Sequence, residues 1–442
     1  MNWKEEYERK MISAEQAAEL VQSGDNVIIP IASEPLSLMT ALISRKEELK
    51  GVEVLVSVPL REFPWYEPGW DDAFSIKFLY PGTIPELRHR LGEGKVGDYV
   101  VSPSSWVASG GALKTLEQGK HNIVMVEIST PDEHGYCSFG PVLWDRKERI
   151  QNADISIAEI RENVMRTYGD NFIHISEIDY IVQAAYPLTK PFPPFEPEPH
   201  VKPIAEYVSS LIKDGDTIEI GAGTSSETLP LVGLFNNKRD LGWHTERIPR
   251  GTLKLIMDQP EVFSGKYKSL HPGKIIATAL ALVDQDDFDF VHMNPLFELY
   301  AGSYVNDIRV IASNDNMVAI NNALGVDLTG QITAETIGSR MWSGAGGQTE
   351  YSIGATLSKG GRSIIVLPAT AKGGSVSRIV PVFEKGAAVT VLRAFADYVV
   401  TEHGIASLRQ KSQRERALEL ISIAHPDFRS ELKKEAKKLF WP

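Results

Sequence analysis

Glu246 stands in "LGWHTERIPRG" (241–251), between a His-Thr pair and an arginine, and its setting raises a chemical question. A strand-end carboxylate usually just faces water. Screened from solvent beside fixed hydrogen-bond donors, the same group becomes a covalent nucleophile able to carry an acyl group. Local sequence leaves both open.

Donors of that kind are what the glycine-rich stretches offer. "IEIGAGTSSE" (218–227) sets Gly221 and Gly223 after a predicted strand and before a predicted helix, where backbone N–H groups face an anion or a developing oxyanion. A tight turn needing positive φ accounts for the same glycines equally well. The dinucleotide fingerprint fails because Ser226 or Glu227 stands at its last glycine, and no phosphate-loop lysine follows, which disfavours NAD and ATP. "WSGAGGQTEY" (342–351) lets bare backbone approach a ligand at Gly344, Gly346 and Gly347. "LPATAKGGSVSRIVP" (367–381) puts Lys372 before a Gly-Gly pair, as a point charge suited to phosphate or carboxylate. In "STPDEHGYCSFG" (129–140), His134 and Cys137 read as a structured turn with a small buried thiol. The histidines show no paired metal-ligand spacing and Cys137 is the single cysteine, so no metal site is expected. The aromatic loop "FPWYEPGW" (63–70) lines an apolar acyl pocket or packs a domain interface.

Such groups need a framework to position them. "AAELVQSGDNVIIPIASEPLSLMTAL" (17–42) and "IAEYVSSLIKDGDTIEIGAGTSSETLPLV" (204–232) share one pattern: amphipathic helix, Gly-Asp turn, apolar β-rich run, loop, helix. Further runs at 52–58, 122–129, 179–186, 362–368 and 387–392 are continuously apolar, as in strands covered on both faces. "IIATALALV" (275–283) reads as a buried strand or core helix, being about half the length of a membrane span. "SQRERALELISIA" (412–424) carries a capping-box pattern, Ser412 with Glu415. The predicted fold is two tandem, similar open α/β domains with mostly parallel sheets, ligands lying past the carboxyl ends of the strands. Seven prolines between Pro187 and Pro203 mark the linker, giving an N-terminal domain over 1–186 and a C-terminal domain over 204–442.

Bulk properties narrow the function classes. With 46 Lys+Arg against 58 Asp+Glu there is no basic field to hold a phosphate backbone, so nucleic acid is excluded as partner. A charged N-terminus without an apolar core carries no export signal, and no long apolar run points to a membrane. Single-cysteine usage suits a reducing compartment, the cytoplasm.

Taken in order, "GWHTERI", "GAG" (221–223), "YVNDIRVIASNDNMVAINNALGVDLTGQI" (304–332), "SGAGGQ" (343–348), "TAKGGSVSRIVP" (370–381) and "DYVVTEHGIASLRQKSQRERALELISIAHPDFR" (397–429) resemble the acetyl-CoA hydrolase/transferase family. The resemblance is to its 4-hydroxybutyrate and butyrate:acetate CoA-transferase branch and covers almost the whole chain. It implies the CoA-transferase fold with an active site at the domain interface, Glu246 as the residue acylated, and ping-pong transfer through a glutamyl-CoA thioester. Coenzyme A enters as a cosubstrate, with no permanently bound cofactor. Gly223, Asn306 and Gly347 are implied as active-site and oxyanion groups. The implied CoA-contacting residues are Gly221, Ala222, Gly223, Thr224, Ser225, Asn321, Gly344, Gly347, Gln348 and Lys372. The implied partners are acyl-CoA and short-chain carboxylates, and the implied assembly is a homodimer or homotetramer. Where the family commonly has an apolar residue after its glutamate, Arg247 stands here; where it often has small or apolar residues and a Pro after Gly-x-Gly, this chain has "TSSE". One reading gives Arg247 the second carboxylate of a dicarboxylic acid such as succinate or itaconate; the other turns it outward. Hydrolysis of acyl-CoA is the second functional expectation, and a non-catalytic binder on a related fold is the third.

Overall fold

The computed structural model describes residues 2–81, 84–105, 118–186 and 195–441. The chain divides into two compact units: Met1–Lys190 with Val291–Tyr304 and Trp342–Gly344, and Pro191–Phe290 with Val305–Met341 and Ala345–Pro442. A single cut at the prolines therefore differs from this division, because 291–304 and 342–344 group with the first unit. Of the linker expected over 187–203, residues 187–194 lie outside the described residues, and 201–203 already begin helix α3 (Val201–Leu211).

The first unit is built on seven parallel strands: β1 (Asn26–Ile29), β2 (Val52–Val56), β3 (Phe74–Phe78), β4 (Asp98–Tyr99), β5 (Asn122–Ser129), β6 (Ile155–Arg161) and β7 (Tyr180–Gln183). Their spatial order is β7-β6-β5-β1-β2-β3-β4. Helix α1 (Ala14–Glu19) begins in a capping box of Ser13 and Gln16, and after it Gly24, at φ +84°, turns the chain into β1; α2 (Leu36–Ser44) follows. Phe63, Trp65 and Tyr66 of the aromatic loop are buried in this unit's core, with Trp65 against Phe74 and Tyr66 against Phe78. These rings fill the interior of the first unit, a role the two readings of the loop did not include.

In the second unit the main sheet contains β8 (Thr217–Ile220), β9 (Gly242–Ile248), β10 (Ile275–Leu280), β11 (Met317–Asn322), β12 (Arg362–Val366), β13 (Tyr398–Thr401) and β14 (Gly404–Ser407), and a small sheet is formed by Gly325–Asp327, Ile332–Thr333 and Ile379–Val380. The main-sheet strands lie in the order β14-β13-β12-β11-β8-β9-β10, parallel except for the β13–β14 pair. Every residue of β8, β10 and β12 is buried, as in strands covered on both faces. The helix–turn–strand–loop–helix opening recurs: α3 ends, Gly215 turns the chain at φ +78°, and β8 leads to α4 (Thr224–Thr228). Next come α5 (Ile308–Ala312), α6 (Gln348–Leu357) and α7 (Gln413–Ile423), the last opening on the Ser412–Glu415 capping box read from sequence. "IIATALALV" supplies β10, and among the described residues no helix is long and apolar enough to cross a membrane. The run 387–392 is not a strand. Only Val391 bridges, to Ile332, while Leu392 is exposed, so the apolar residues there cover the small sheet beside it without joining a ladder.

Candidate active site

Three neighbouring strands of the second unit, in the order β11-β8-β9, end at one edge of the sheet, where an open parallel sheet presents ligand loops. From β11 come Asn321 and Asn322, after β8 comes the 221–224 loop, and on β9 is Glu246. Strand alternation puts His244 and Glu246 on one face of β9 and Thr245 and Arg247 on the other.

On the first face Glu246 is partly buried and fully engaged. Asn306 Nδ2 donates to its Oε2 at 2.6 Å, and the Gly347 N–H also donates to the carboxylate. Its own backbone carbonyl accepts from the Thr278 hydroxyl, which clamps this point of β9 to β10. Burial raises the Glu246 pKa to about 7; the Glu350 charge raises it too, while the Asn306 bond, the Arg247 charge and the Gly347 N–H act the other way. Gly347 is required by close approach: a Cβ there would lie 2.4 Å from Glu246 Oε2 and 2.8 Å from Asn306 Nδ2.

Asn306 is itself held in place. His244 Nε2 and the Tyr351 hydroxyl both donate to the carbonyl of Val305, at 2.8 and 3.2 Å, and Asn306 is the next residue. Asp307 then caps α5 by accepting from the Arg309 N–H at 2.7 Å. His244 is wholly buried, and desolvation lowers its pKa to about 3, so it works as a neutral ring donating from Nε2. The histidine of the His-Thr-Glu segment is thus a positioning group for the amide beside Glu246. Sequence reasoning missed His244, Thr278 and Tyr351 as parts of the site; for Tyr351 the available signal was its place one helical turn after Gly347.

Other expected residues are drawn into internal contacts. Asn321 Nδ2 donates to Glu219 Oε2 at 2.8 Å, and Gly221 must be glycine because a Cβ would lie 1.9 Å from Asn321 Oδ1. Gln348 Nε2 donates to the Asn322 carbonyl at 3.0 Å, tying the start of α6 to the end of β11. Ser225 Oγ hydrogen-bonds His200 Nε2 at 3.1 Å, while Ala222 and Thr224 are exposed. The Gly223 N–H, expected as an oxyanion donor, is directed at Glu227 Oε1 at 3.3 Å. Glu227 Oε1 also receives the Arg247 guanidinium. The two departures from the family pattern are therefore partners of each other, on the face of β9 opposite Glu246. Arg247 is not simply turned outward: it is partly buried and ion-paired to Glu227, with Arg250 close to both.

Lys372 stands exposed at the tip of the hairpin Thr370–Ala371/Val376–Ser377, with φ at +50°. Gly344 belongs to the first unit, where a Cβ would meet the Leu79 carbonyl oxygen at 2.4 Å. Cys137 is buried and desolvation pushes its thiol up to about 12, which keeps it unreactive. Among the described residues no cluster of three His, Cys, Asp or Glu side chains is arranged to hold a metal ion.

Comparison with known proteins places this geometry in a family. Residues 1–188 match the acetyl-CoA hydrolase/transferase N-terminal domain and residues 284–436 the acetyl-CoA hydrolase/transferase C-terminal domain. The chain belongs to the acetyl-CoA hydrolase/transferase family. It is similar to the 4-hydroxybutyrate coenzyme A transferase of Clostridium kluyveri, 40% identical over 441 residues and 100% of both chains. It is also similar to the succinyl-CoA:cyclohexane-1-carboxylate CoA transferase of Geobacter metallireducens, 35% identical over 99% of this chain and 97% of that one. RipA from Yersinia pestis has the same fold, with a TM-score of 0.88 at 30% identity and 99% of each chain covered. The chain is thus a family enzyme of the CoA-transferase kind, in the two-domain CoA-transferase fold.

Proposed function

We propose that the protein moves CoA between an acyl-CoA and a free short-chain carboxylic acid, with 4-hydroxybutyrate or butyrate as acid and acetyl-CoA or a similar thioester as donor, through a glutamyl-CoA thioester on Glu246. The observation that carries this reading is the Glu246 carboxylate held at one strand end by Asn306 Nδ2, at 2.6 Å, and by the Gly347 N–H. In the first step a Glu246 oxygen attacks the thioester carbonyl, the C–S bond breaks, and CoA leaves as thiolate from a mixed acyl-glutamyl anhydride. The thiolate then attacks the glutamyl carbonyl, and the first acid departs as carboxylate. A second carboxylate attacks the glutamyl-CoA thioester and the two steps run in reverse.

The glutamyl carbon passes through a tetrahedral state whose oxyanion is Glu246's own oxygen. Asn306 and Gly347 already donate to that carboxylate, so they need no reorganisation when charge builds there. The Gly223 N–H is directed at Glu227 rather than at Glu246. A pKa near 7 suits a nucleophile of this kind, because the carboxylate is present at neutral pH yet more basic than a solvated glutamate. The preference for a short monocarboxylate rests on the Clostridium kluyveri relative. The same reading takes a homodimer or homotetramer as the assembly and the cytoplasm as the compartment, testable by light scattering and cell fractionation.

Trapping the intermediate tests the mechanism. Incubation with an acyl-CoA followed by borohydride reduces a glutamyl-CoA thioester, and peptide mass spectrometry should find the change confined to Glu246. Turnover with Glu246 unmodified would refute the mechanism. Release of free CoA at equal rates with and without added acid would instead favour hydrolysis.

A further inference from the structure

Glu219 is a buried carboxyl that the transfer steps do not use. It lies on β8 opposite Ala319 of β11, on the face of the sheet that packs under Tyr351, and it is almost completely buried. Its hydrogen bond is from Asn321 Nδ2 to Oε2 at 2.8 Å, with further help from the Ile320 backbone. The groups acting on it are Glu246 from β9 and Asn321 from β11, and α6 brings Glu350 and Tyr351 to the same cluster. His244, on the same face of β9, is neutral. Among the described residues no cation acts on Glu219. Glu246, by contrast, has two donors and the nearby Arg247 charge.

A buried carboxylate with amide donors but no cation, and with a like charge facing it, is costly, whereas the neutral acid is not. Two carboxyls in that relation divide the proton unequally, and the better-supported one keeps the charge. Burial and the Glu246 charge both move Glu219 well above the ordinary carboxylate range, in agreement with the geometry.

We propose that Glu219 is a positioning residue held as a neutral carboxylic acid, which fixes the Asn321 amide and adds no negative charge beside Glu246. The proposal deepens the reading of Glu246 as nucleophile and rests on it for its kinetic part. During transfer the charge passes from the Glu246 carboxylate to the CoA thiolate and back, and a neutral Glu219 adds no further anion beside it at any stage.

Glu219→Gln reproduces the shape and polarity of the neutral acid and tests this directly. In infrared difference spectra at pH 7, wild type minus Glu219→Gln, a protonated carboxyl carbonyl band should be present. That measurement needs no turnover, so it stands even if the transfer mechanism fails. The variant should keep kcat/KM within about threefold of wild type, and the pH midpoint assigned to Glu246 should not move, because no charge has been removed. A carboxylate band in place of the acid band would overturn the proposal. So would a midpoint lowered by about one unit, the sign that a like charge had been present. Failure of the variant to fold, or a loss of a hundredfold or more, would overturn it equally.

Discussion

Replacing Asn306 by alanine removes the donor that sits 2.6 Å from Glu246 Oε2. A hydrogen bond to a charged group contributes about 1.5–3 kcal/mol, and Asn306 supports the ionised form of Glu246. Losing it should raise the Glu246 pKa from about 7 by roughly 1–2 units. The reactive species is the carboxylate, so kcat/KM for acyl-CoA rises with pH through that midpoint. In wild type about half of Glu246 is ionised at pH 7; in Asn306→Ala roughly 1–10% would be, a loss of about 5–50-fold from ionisation alone. Loss of the donor from the tetrahedral state adds about 10²–10³-fold at every pH. The assay is chromatographic transfer of CoA from butyryl-CoA to acetate between pH 6 and 9.5, and the mutant deficit should shrink by about 10–70-fold from the lower to the upper end. An unmoved midpoint with an equal deficit at all pH values would refute the idea that Asn306 acts on the charge of Glu246.

Three further outcomes follow from the same contacts. Glu246→Gln should abolish transfer and stabilise the fold at pH 8: the folded pKa of Glu246 lies above its unfolded value, so its stabilising contribution is full below about 4.5 and lost as pH rises through about 7. The gain at pH 8, on the order of 1–3 kcal/mol, should vanish near pH 4.5 in paired thermal melts. Gly347→Ala should reduce kcat at least about a hundredfold while leaving circular dichroism unchanged, because its Cβ would strike the movable end of Glu246 rather than backbone. Arg247→Met leaves the buried Glu227 without its ion-pair partner, only the more distant Arg250 charge remaining, and should cost about 1–3 kcal/mol, a penalty that largely disappears when Glu227→Gln is added. Denaturant midpoints of the two single variants and the double variant measure this, and additive losses would contradict the pairing.

Much of the framework was legible because the signals are local. The apolar-rich, non-alternating runs of β5, β10 and β12 follow from burial on both faces, and the Ser412–Glu415 box is a four-residue pattern read where the helix begins. The run at 387–392 has the same composition, yet pairing depends on a neighbouring strand that composition cannot supply, and only Val391 found one. The aromatic loop at 63–70 likewise carried no mark of the side it would face, and its rings went to the core of the first unit.

By itself the sequence determined which groups were available: a glutamate in a His-Thr-Glu segment, glycines where backbone must pass close, and amides at 306 and 321. It also showed that Arg247 and "TSSE" were unusual. Only the tertiary structure decided what those groups do to one another. Strand alternation sent Glu246 toward Asn306 and Gly347 and sent Arg247 the other way, to Glu227. The parallel register of β11, β8 and β9 brought Glu219 into the same buried row as Glu246 from a position 27 residues earlier. A carboxyl's charge depends on the donors and charges within a few ångströms of it, and those neighbours come from strands and helices far apart along the chain.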